Sequence, residues 1–569
     1  MKRIGCYPGT DRENNVVSFV ERHAAADPGR AIFRHVPRET LASWDGEQSL
    51  VHEDTTFGDF AAAVRHLAAG LARHGLSRGD RVLLFLPMSV AMYAAMTALQ
   101  RLGVIPVFLD SWARRGQLGA AARVTQPRAI ISFDQAFAAL AGEPDLETVP
   151  LRIAAGPTSQ ECTAQLEELL VTEDEAEITP VAAGHTALIT FTTGSSGEPK
   201  GADRTHGFLA AQHYALDACL PYGDEDVDLP AFPIFSLNNV AAGVTTVIPA
   251  LDVGAPAERD AAVLLAQMRT CSVTCITVSP SLFNGLSSHC QRHSQELSGL
   301  RRVVTGGAPV SRDDLGRFAA VAPGASILVL YGSTEVEPIA HIEGREILDS
   351  PAPDAGDPEL VEAGVDVGTI HPALRHRFIR ISREPVTIAS ASDWAALEVP
   401  PGEPGELIVA GEHVCGGYFN NPQAGVRAKI RDPDGTLYHR TGDLGYLDER
   451  GHLWIVGRVH NAICRDGRWL FPVRAEIALR KLPFARAAAY LGLPDTALGE
   501  RCVCAVQVGD GEADEPPPVW RSEVERILAR NGLPADEIHF RADLPMDPRH
   551  HSKVEYDVLR RQILDEAGS

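Results

Sequence analysis

Residues 188–201 read Leu-Ile-Thr-Phe-Thr-Thr-Gly-Ser-Ser-Gly-Glu-Pro-Lys-Gly, an apolar strand followed by a loop of hydroxyl residues and glycines. Backbone N–H groups and hydroxyls in such a loop can converge on a polyanion. The ATPase pattern Gly-x-x-x-x-Gly-Lys-Ser/Thr does not fit, because Glu198 and Pro199 separate Gly197 from Lys200. An ordinary Ser/Gly turn is the alternative. We predict a phosphate-binding loop with the candidate residues Thr192, Thr193, Gly194, Ser195, Ser196, Gly197 and Lys200.

Lysine is rare in this chain, which gives weight to Lys200. The sequence has 52 Lys and Arg residues together, but lysine stands only at Lys2, Lys200, Lys429, Lys481 and Lys553. A compact ammonium differs chemically from a planar guanidinium. A lysine retained in an arginine-rich chain therefore indicates that a point charge is needed at its position.

Short aliphatic runs alternate with helix-like segments on both sides of this loop. Strands separated by helices of about 10 to 15 residues predict crossover connections and a largely parallel sheet. The fold class predicted from this alternation is α/β. The runs that predict strands are Val82–Leu86, Ala129–Ser132, Thr186–Thr190, Val273–Val278, Arg302–Val304 and Ile327–Leu330.

The pattern changes toward the carboxy terminus. From Gly405 onward, closely spaced short strands with glycine turns predict a small β-rich lobe. After Arg458 a strand-and-helix module of ordinary domain size follows. We place the boundary between Val459 and His460, which divides the chain into domains 1–459 and 460–569. Segments rich in Pro, Gly or acid are predicted to be exposed loops, namely Asp145–Glu175, Asp349–Asp366 and Gly509–Pro518.

Composition excludes several classes of protein. With 52 basic and 75 acidic side chains the net charge is −23, so nucleic acid is a poor partner. The 10 cysteines show no C-x-x-C pair, and we interpret them as free thiols. With no export signal at the amino terminus, we expect a cytoplasmic protein. Val82–Gln100 is uncharged, but Pro87 and Ser89 interrupt it, so we predict a strand, a turn and a helix rather than a transmembrane segment.

Further motifs follow the phosphate loop in a fixed order: Gly306-Gly307-Ala308-Pro309, Tyr331-Gly332-Ser333-Thr334-Glu335, Tyr438-His439-Arg440-Thr441-Gly442-Asp443 and Gly457-Arg458. In this order they resemble the motifs of the acyl-adenylate-forming synthetases, which include acyl-CoA synthetases, adenylation domains and firefly luciferase. The resemblance covers nearly the whole chain. It implies a large N-terminal domain of two α/β subdomains plus the β-lobe, with ATP and acid bound in a crevice beneath a small mobile α+β lid domain.

The resemblance also implies roles for individual residues. ATP and Mg²⁺ are the expected cofactors, and a carboxylic acid is the expected substrate. A carboxylate beside phosphates is tolerable only with a cation between them, which independently favours a hard metal at Glu335. The implied roles are the adenine and substrate pocket for Gly307, Ala308 and Pro309, adenine stacking for Tyr331 beside Gly332 and Ser333, the α-phosphate for Thr334, Mg²⁺ for Glu335, the ribose for Asp443, and the ribose or the phosphates for Arg458.

Lys553 is the expected catalytic lysine. Family members place a lysine near the carboxy terminus that bridges the carboxylate and the ATP oxygens. Two like charges at about 4 Å repel by about 4 kcal/mol at an effective dielectric constant of about 20. A cation that arrives only when both reactants are bound would offset this repulsion. An exposed surface lysine is the alternative, and the rarity of lysine argues against it.

Departures from the family pattern point to one branch. Ser552 stands where a glycine usually precedes the lysine, and no lysine stands near Cys464, where thioester-forming members often have one. Residues 547–553, Asp-Pro-Arg-His-His-Ser-Lys, resemble the D-x-R-H-x-x-K ending of bacterial β-lactone synthetases of the olefinic-hydrocarbon pathway. Residues 228–235 and 246–249 resemble the substrate-pocket segment of that branch, although ordinary core packing is an equal explanation. The resemblance implies a long-chain β-hydroxy acid that is adenylated and closed to a lactone.

Alternatives remain open at this point. A fatty acyl-CoA or acyl-carrier-protein ligase would need Arg465 or Arg468 in place of the missing lysine, and CoA or a carrier protein would then be a partner. A degenerate nucleotide-binding protein is disfavoured, because the charged positions are all present. Peripheral contact with a membrane is also left open. The base of the second step is not assigned, and the histidines considered by type alone are His206, His341, His460, His550 and His551.

Overall fold

The computed structural model describes residues 10–46, 50–109, 115–171, 173–193, 199–251, 257–350, 360–509, 511–513, 515–546 and 554–568. Predicted residues Gly194–Gly197 and Lys553 lie outside these ranges, as do His550 and His551. Of Thr192 and Thr193 the structure describes the backbone alone.

Helices are numbered along the chain. They are α1 Val17–Ala26, α2 Arg38–Ala42, α3 Phe57–Arg73, α4 Val90–Arg101, α5 Arg115–Thr125, α6 Asp134–Leu140, α7 Pro144–Glu147, α8 Leu166–Leu170, α9 His206–Cys219, α10 Pro233–Ala242, α11 Ala257–Thr270, α12 Pro280–Arg292, α13 Arg312–Val321, α14 Gly344–Asp349, α15 Ala391–Leu397, α16 Pro422–Ala428, α17 Pro472–Leu479, α18 Pro518–Arg530 and α19 Tyr556–Gly568.

Strands are numbered in the same way. They are β1 Ala31–His35, β2 Glu53–Thr56, β3 Arg81–Leu84, β4 Ile105–Phe108, β5 Ala129–Ser132, β6 Leu151–Ala154, β7 Ala164–Gln165, β8 Thr186–Thr193, β9 Pro199–Thr205, β10 Val227–Pro230, β11 Thr245–Val247, β12 Cys275–Val278, β13 Arg302–Gly306, β14 Ser326–Ser333, β15 Val336–Glu343, β16 Val365–Asp366, β17 Thr369–Ile370, β18 Arg375–Ile379, β19 Gly405–Ala410, β20 Lys429–Arg431, β21 Leu437–Leu447, β22 Leu453–Arg458, β23 Ile463–Arg465, β24 Arg468–Leu470, β25 Ala487–Asp495, β26 Gly499–Gln507 and β27 Glu537–Arg541.

Two largely parallel sheets form the body of the molecule. One has the order β17-β15-β14-β13-β12-β10-β11-β1-β2, and the other has the order β7-β6-β5-β3-β4-β8-β9. The pairs from β10 to β14 are parallel, as the alternation of strands and helices predicts. Carboxyl ends of parallel strands meet at one edge of a sheet, where loops can gather functional side chains. The α/β prediction is confirmed.

Local sequence sets where the helices begin. The hydroxyls of Thr56 and Ser89 accept hydrogen bonds from backbone N–H groups in the first turns of α3 and α4. Helix α4 buries Met92, Tyr93 and most of its other side chains against the seven-stranded sheet, within a large apolar core. The uncharged stretch around Pro87 is thus a strand, a turn and a buried helix, as predicted. Within the described residues, the helices are too short or too polar to cross a membrane.

A separate antiparallel sheet forms the β-lobe, with the order β16-β22-β21-β19-β18 and β20 beside β21. The lobe was predicted to begin near Gly405, but strands β16 and β18 lie earlier in the chain and pair with β22 and β19. Strand β18 begins with exposed polar residues such as Arg375 and His376. It was not predicted because the prediction searched for apolar runs.

The C-terminal module has its own sheet, β24-β23-β26-β25 with β27 beside β26. It packs on the lobe through a small apolar cluster that includes Val456, Val459 and Ala462. A segment that precedes the lobe also contacts the C-terminal module: the backbone N–H of Val361 donates to Asn531 Oδ1 at 3.1 Å. The division between Val459 and His460 stays a prediction.

One loop prediction was wrong over most of its length, and a second, Asp349–Asp366, was wrong at its end, where Val361 is 3% exposed and Val365–Asp366 form β16. Within Asp145–Glu175, β6 pairs in parallel with β5, and Ile153 is fully buried. Helix α8 buries Leu166 and Leu169. The acidic residues Glu167 and Glu168 are exposed on α8, and β6 and α8 face the core with only a few apolar residues each.

Arg440 and Glu406 form a buried ion pair that joins β21 to β19. Their side chains are 8% and 2% exposed, and Nη2 lies 2.6 Å from Oε2. We expect Arg440→Ala to lower the free energy of unfolding in urea by about 3–5 kcal/mol, because a buried carboxylate loses its counter-ion. The exposed Arg431→Ala is the control and should change it by less than about 0.5 kcal/mol. Equal effects of the two variants would contradict the assignment, and the double variant Arg440→Met/Glu406→Leu should recover most of the loss.

Candidate active site

The predicted phosphate loop connects two antiparallel strands. Strands β8 and β9 pair so that Thr192 lies opposite Lys200 and Thr193 opposite Pro199. The Lys200 ammonium lies 6.0 Å from the centre of the Tyr418 ring. The turn between the strands, with Gly194–Gly197, lies outside the described residues. The hairpin therefore brings Lys200 back beside the threonine backbone of the same motif.

The turn after β14 carries Thr334 and Glu335. Strand β14 ends at Ser333, and β15 returns antiparallel to it from Val336. The turn is held from two sides: Arg204 Nη2 donates to the Thr334 carbonyl at 2.7 Å, and the Cys415 N–H donates to the Glu335 carbonyl at 2.7 Å. The Arg204 side chain from the α/β body and the Cys415 N–H from the β-lobe thus fix the position of the turn.

The Glu335 carboxylate is ionised in this setting. The Tyr418 hydroxyl donates to Oε1 at 2.7 Å, and Lys429 lies nearby with its ammonium donating to the Cys415 carbonyl. Burial raises the pKa of this carboxyl. His439, the Tyr418 hydroxyl and Lys429 together lower it by more than burial raises it, so the pKa is below its usual value. A carboxylate held charged in a partly buried site is a suitable ligand for a hard divalent cation.

Asp443 joins three elements. It lies on β21 directly opposite Arg458 of β22, whose Nε is 3.0 Å from Oδ1. The Tyr331 hydroxyl at the end of β14 donates to Oδ2 at 2.6 Å. Burial and the neighbouring Asp443 raise the pKa of Tyr331 well above its usual value, so it stays a donor. The structure brings Tyr331, Asp443 and Arg458 into direct contact.

The loop Gly307–Pro309 follows β13 beside this group. Gly306 pairs with Leu330 in the parallel ladder, one residue before Tyr331. A Cβ at Gly306 would lie 2.1 Å from the Leu330 carbonyl oxygen. Gly307 adopts φ of 85°, the left-handed region that glycine tolerates. The two glycines therefore allow the close strand pairing and the sharp exit of the chain toward the site.

An apolar wall adjoins the site. Side chains of α9, α10, β13 and β14 pack together on one face of the nine-stranded sheet, and we call this set the acyl-side cluster: Leu216, Leu220, Phe235, Val304, Leu328 and Leu330, with Cys219, Phe232 and Ile234 at its margin. Leu330 directly precedes Tyr331. The six core members are 0–4% exposed, so in this structure they pack against one another.

The histidines considered from sequence lie in different places. His206 is fully buried and its Nδ1 accepts from the Val16 N–H, while burial lowers its pKa to about 3. His341 Nδ1 lies 3.4 Å from Cys219 Sγ, and burial lowers its pKa. Burial, together with Arg458, lowers the pKa of His460 to about 4. None of these three contacts Glu335 or Asp443 by a hydrogen bond within the described chain.

Sequence reasoning missed several residues that build the site. Tyr418 and Arg204 carried no motif that marks them out, and His439 lay in the quoted motif 438–443 without a role assigned to it. Lys429 did carry a signal, because it is one of the few lysines. Within the described ranges, side chains that could ligate a metal do not gather in groups of three or more. A metal at Glu335 would therefore need oxygen ligands from a bound nucleotide and water.

This fold and this site define an ATP-dependent adenylate-forming ligase: two largely parallel sheets, a β-lobe and a C-terminal module, with Glu335 in the turn after β14 and Asp443 on β21 paired with Arg458. A family model described as AMP-binding enzyme matches residues 21–419, and the chain belongs to that family.

Relatives place the chain more closely within the family. It is 31% identical over 512 residues to an olefin beta-lactone synthetase of Stenotrophomonas maltophilia, a match that covers 87% of this chain and 88% of that protein. It is 30% identical over 535 residues to a protein of the same name from Xanthomonas campestris, with 90% and 92% covered. A Bacillus subtilis o-succinylbenzoate coenzyme A synthetase, solved with ATP and magnesium ion, shares the fold with a TM-score of 0.72 at 20% identity, covering 95% and 99% of the two chains.

Gly306→Ala tests the close pairing beside Tyr331. We expect ATP- and acid-dependent pyrophosphate release to fall by at least about tenfold, because the new methyl group must push β13 away from β14, a strain of about 1–3 kcal/mol. Gly299→Ala is the matched control, since a Cβ there meets nothing within 4 Å. Wild-type rates in Gly306→Ala would show that the strand contact does not set the position of the site.

Proposed function

We propose that this ligase adenylates a long-chain β-hydroxy carboxylic acid and closes the acyl-adenylate to a β-lactone, releasing AMP. The structural observation that supports this proposal is the acyl-side cluster, a set of buried apolar side chains that includes Leu330, next to Tyr331, and that would have to open to admit an alkyl chain. Two relatives named olefin beta-lactone synthetase support the same conclusion.

The residues present fit ATP and Mg²⁺. Ser333 Oγ is buried and has no hydrogen-bond partner among the described residues. Such an atom beside an ionised Glu335 suits a ligand with both donors and acceptors. We propose that residues 192–197, Lys200 and Thr334 hold the phosphates, that Asp443 and Arg458 hold the ribose, and that Gly307–Pro309 and Tyr331 border the adenine. Bound at Glu335, Mg²⁺ would neutralise phosphate charge.

In the first step, a carboxylate oxygen of the acid attacks the α-phosphorus of ATP and pyrophosphate leaves. Both reactants are anions, so cations must approach them in the transition state. We propose Lys553, carried by the lid domain 460–569, as the cation that bridges them. Lys200 would hold the phosphates throughout, because it lies on the body of the enzyme and not on the lid.

In the second step, the β-hydroxyl oxygen attacks the acyl carbonyl, the C–O bond to AMP breaks, and the hydroxyl proton passes to a base. The product is the acid less one water, formed without any external nucleophile. An intramolecular nucleophile in the right geometry can contribute about 7 kcal/mol or more. The apolar wall would hold the chain so that its hydroxyl lies over the carbonyl.

A thioester is less well supported as the product. Arg465, one candidate to replace the missing lysine, forms an ion pair with Asp536 and approaches Asp466 at 3.8 Å. Using it for CoA would require breaking these contacts. The proposed reaction needs neither free CoA nor a carrier protein, because its nucleophile is a hydroxyl of the substrate itself.

Product identity is the decisive measurement. Purified protein with ATP, Mg²⁺ and a long-chain β-hydroxy acid should release pyrophosphate and give a product lighter than the acid by one water, with or without CoA. Mass spectrometry identifies it. A thioester formed only with CoA would overturn the lactone proposal but keep adenylation, whereas no pyrophosphate with any acid would overturn both.

Lys553→Ala should slow pyrophosphate release by about 10²-fold or more, because the repulsion between the two anions is then uncompensated. Lactone formation from a supplied acyl-adenylate should keep most of its rate, since that step has no triphosphate. The exposed Lys481→Ala is the matched control. If both lysine variants adenylate at the wild-type rate, Lys553 has no part in the step.

A further inference from the structure

A short segment of the β-lobe joins two places where the nucleotide would be held. We call residues 415–419, which follow β19, the strap. At its start the Cys415 N–H donates to the Glu335 carbonyl at 2.7 Å, and at its end the Phe419 N–H donates to the Gly201 carbonyl at 2.8 Å. Gly201 directly follows Lys200 on β9. The strap therefore connects the turn with Glu335 to the strand with Lys200.

Buried contacts give the strap one position. Cys415 is fully buried, and its thiol donates to the Asp203 carbonyl at 3.2 Å. The Asp203 N–H in turn donates to the Gly417 carbonyl at 3.1 Å. The Lys429 ammonium donates to the Cys415 carbonyl. Each of these polar groups would lose a partner if the strap moved, so the fold sets the place of the strap relative to β9.

Tyr418 is the strap residue that contacts both functional side chains. Its hydroxyl donates to Glu335 Oε1 at 2.7 Å, and the Lys200 ammonium lies 6.0 Å from the centre of its ring. Burial and the neighbouring Glu335 carboxylate raise the pKa of Tyr418, so its hydroxyl stays protonated and remains a donor. A cation at this distance is attracted by the face of the ring. One side chain thus holds an anion through its hydroxyl and a cation through its ring.

Both contacts leave the two charged groups able to bind a nucleotide. An ionised carboxylate has two oxygens with about four lone-pair positions, and a hydrogen bond to Oε1 uses one of them. The other positions can meet a divalent cation. The ring attracts the ammonium by its charge, so the N–H donors of Lys200 remain suited to phosphate oxygens. Tyr418 therefore orients Glu335 and Lys200 without using up their capacity to bind.

We propose that Tyr418 is a positioning residue for adenylation: its hydroxyl orients Glu335 toward the divalent cation, and its ring sets the place of Lys200 beside the phosphates. The strap thereby fixes the distance between the metal ligand and the phosphate-binding lysine. This inference rests on the proposed function, because it takes Glu335 and Lys200 in the roles proposed there.

Tyr418→Phe tests the hydroxyl alone, because the ring is kept. We expect the Mg²⁺ concentration that half-saturates pyrophosphate release to rise by about tenfold or more, the effect of losing one hydrogen bond to a charged group. By electron paramagnetic resonance, the variant should bind Mn²⁺ about tenfold more weakly in the presence of α,β-methylene-ATP, for the same reason. The KM for the acid should stay unchanged, since Tyr418 is not part of the acyl-side cluster.

Tyr418→Leu removes the ring as well. The effect on Mg²⁺ should equal that of Tyr418→Phe, and the KM for ATP at saturating Mg²⁺ should rise in addition by about threefold or more, because Lys200 loses the ring face. In a Lys200→Met background this additional effect should vanish. Tyr446→Phe is the matched control, on β21 opposite Trp454, and should keep the wild-type Mg²⁺ dependence and KM for ATP.

Wild-type Mg²⁺ dependence and Mn²⁺ affinity in Tyr418→Phe would show that the hydroxyl does not orient Glu335, and the inference would fail. It would also fail if both variants changed the Mg²⁺ dependence, the KM for ATP and the KM for the acid equally, with a lower midpoint of urea unfolding, because Tyr418 would then only support the fold. Absence of pyrophosphate release by the wild type with every acid would instead refute the proposed function, and the Mn²⁺ titration would still test Tyr418.

Discussion

Charge burial at the meeting point of the sheets is the constraint on which the site depends. Asp443 is 7% exposed, and a carboxylate so placed is stable only when paired and hydrogen-bonded. Arg458 supplies the charge from the neighbouring strand, and Tyr331 supplies a hydrogen bond from the α/β body. One side chain thus links the lobe to the nine-stranded sheet. The need to pair the Asp443 carboxylate with Arg458 and Tyr331 therefore fixes how the lobe and the sheet meet at the site.

Glu335, like Asp443, accepts a hydrogen bond from a tyrosine hydroxyl of another part of the fold. Its donor, Tyr418, comes from a segment that follows β19, whereas Glu335 belongs to the turn between β14 and β15. Isolated backbone bridges between Val336 and Val414 and between Ala202 and Tyr418 connect the same regions. Because tyrosine hydroxyls remain protonated near buried carboxylates, both acids keep a hydrogen-bond donor. The two tyrosine hydroxyls thereby hold both carboxyl groups in a fixed orientation.

How much of this could be read from sequence depends on the range of the interaction. Motifs that lie within a few residues, such as 331–335 and 306–309, are local, and their order along the chain pointed to the family. Alternation of strand and helix likewise predicted the parallel sheets. Tyr418, Arg204 and Lys429 act across the fold, and nothing in their local sequence states which carboxyl or carbonyl they will reach. The segment 145–175 was misjudged for a related reason, since a strand such as β6 needs only a few apolar residues once it lies against β5.

The sequence by itself determined the fold class, the order of the motifs and the residue types needed for nucleotide chemistry, because hydrophobic period and glycine position act locally on the backbone. Only the tertiary structure decided which side chains satisfy Glu335 and Asp443, and how the acyl-side cluster meets the strand that carries Tyr331. These features join residues far apart in the chain. Their energies arise from burial and close contact, which exist only once the sheets and helices have packed.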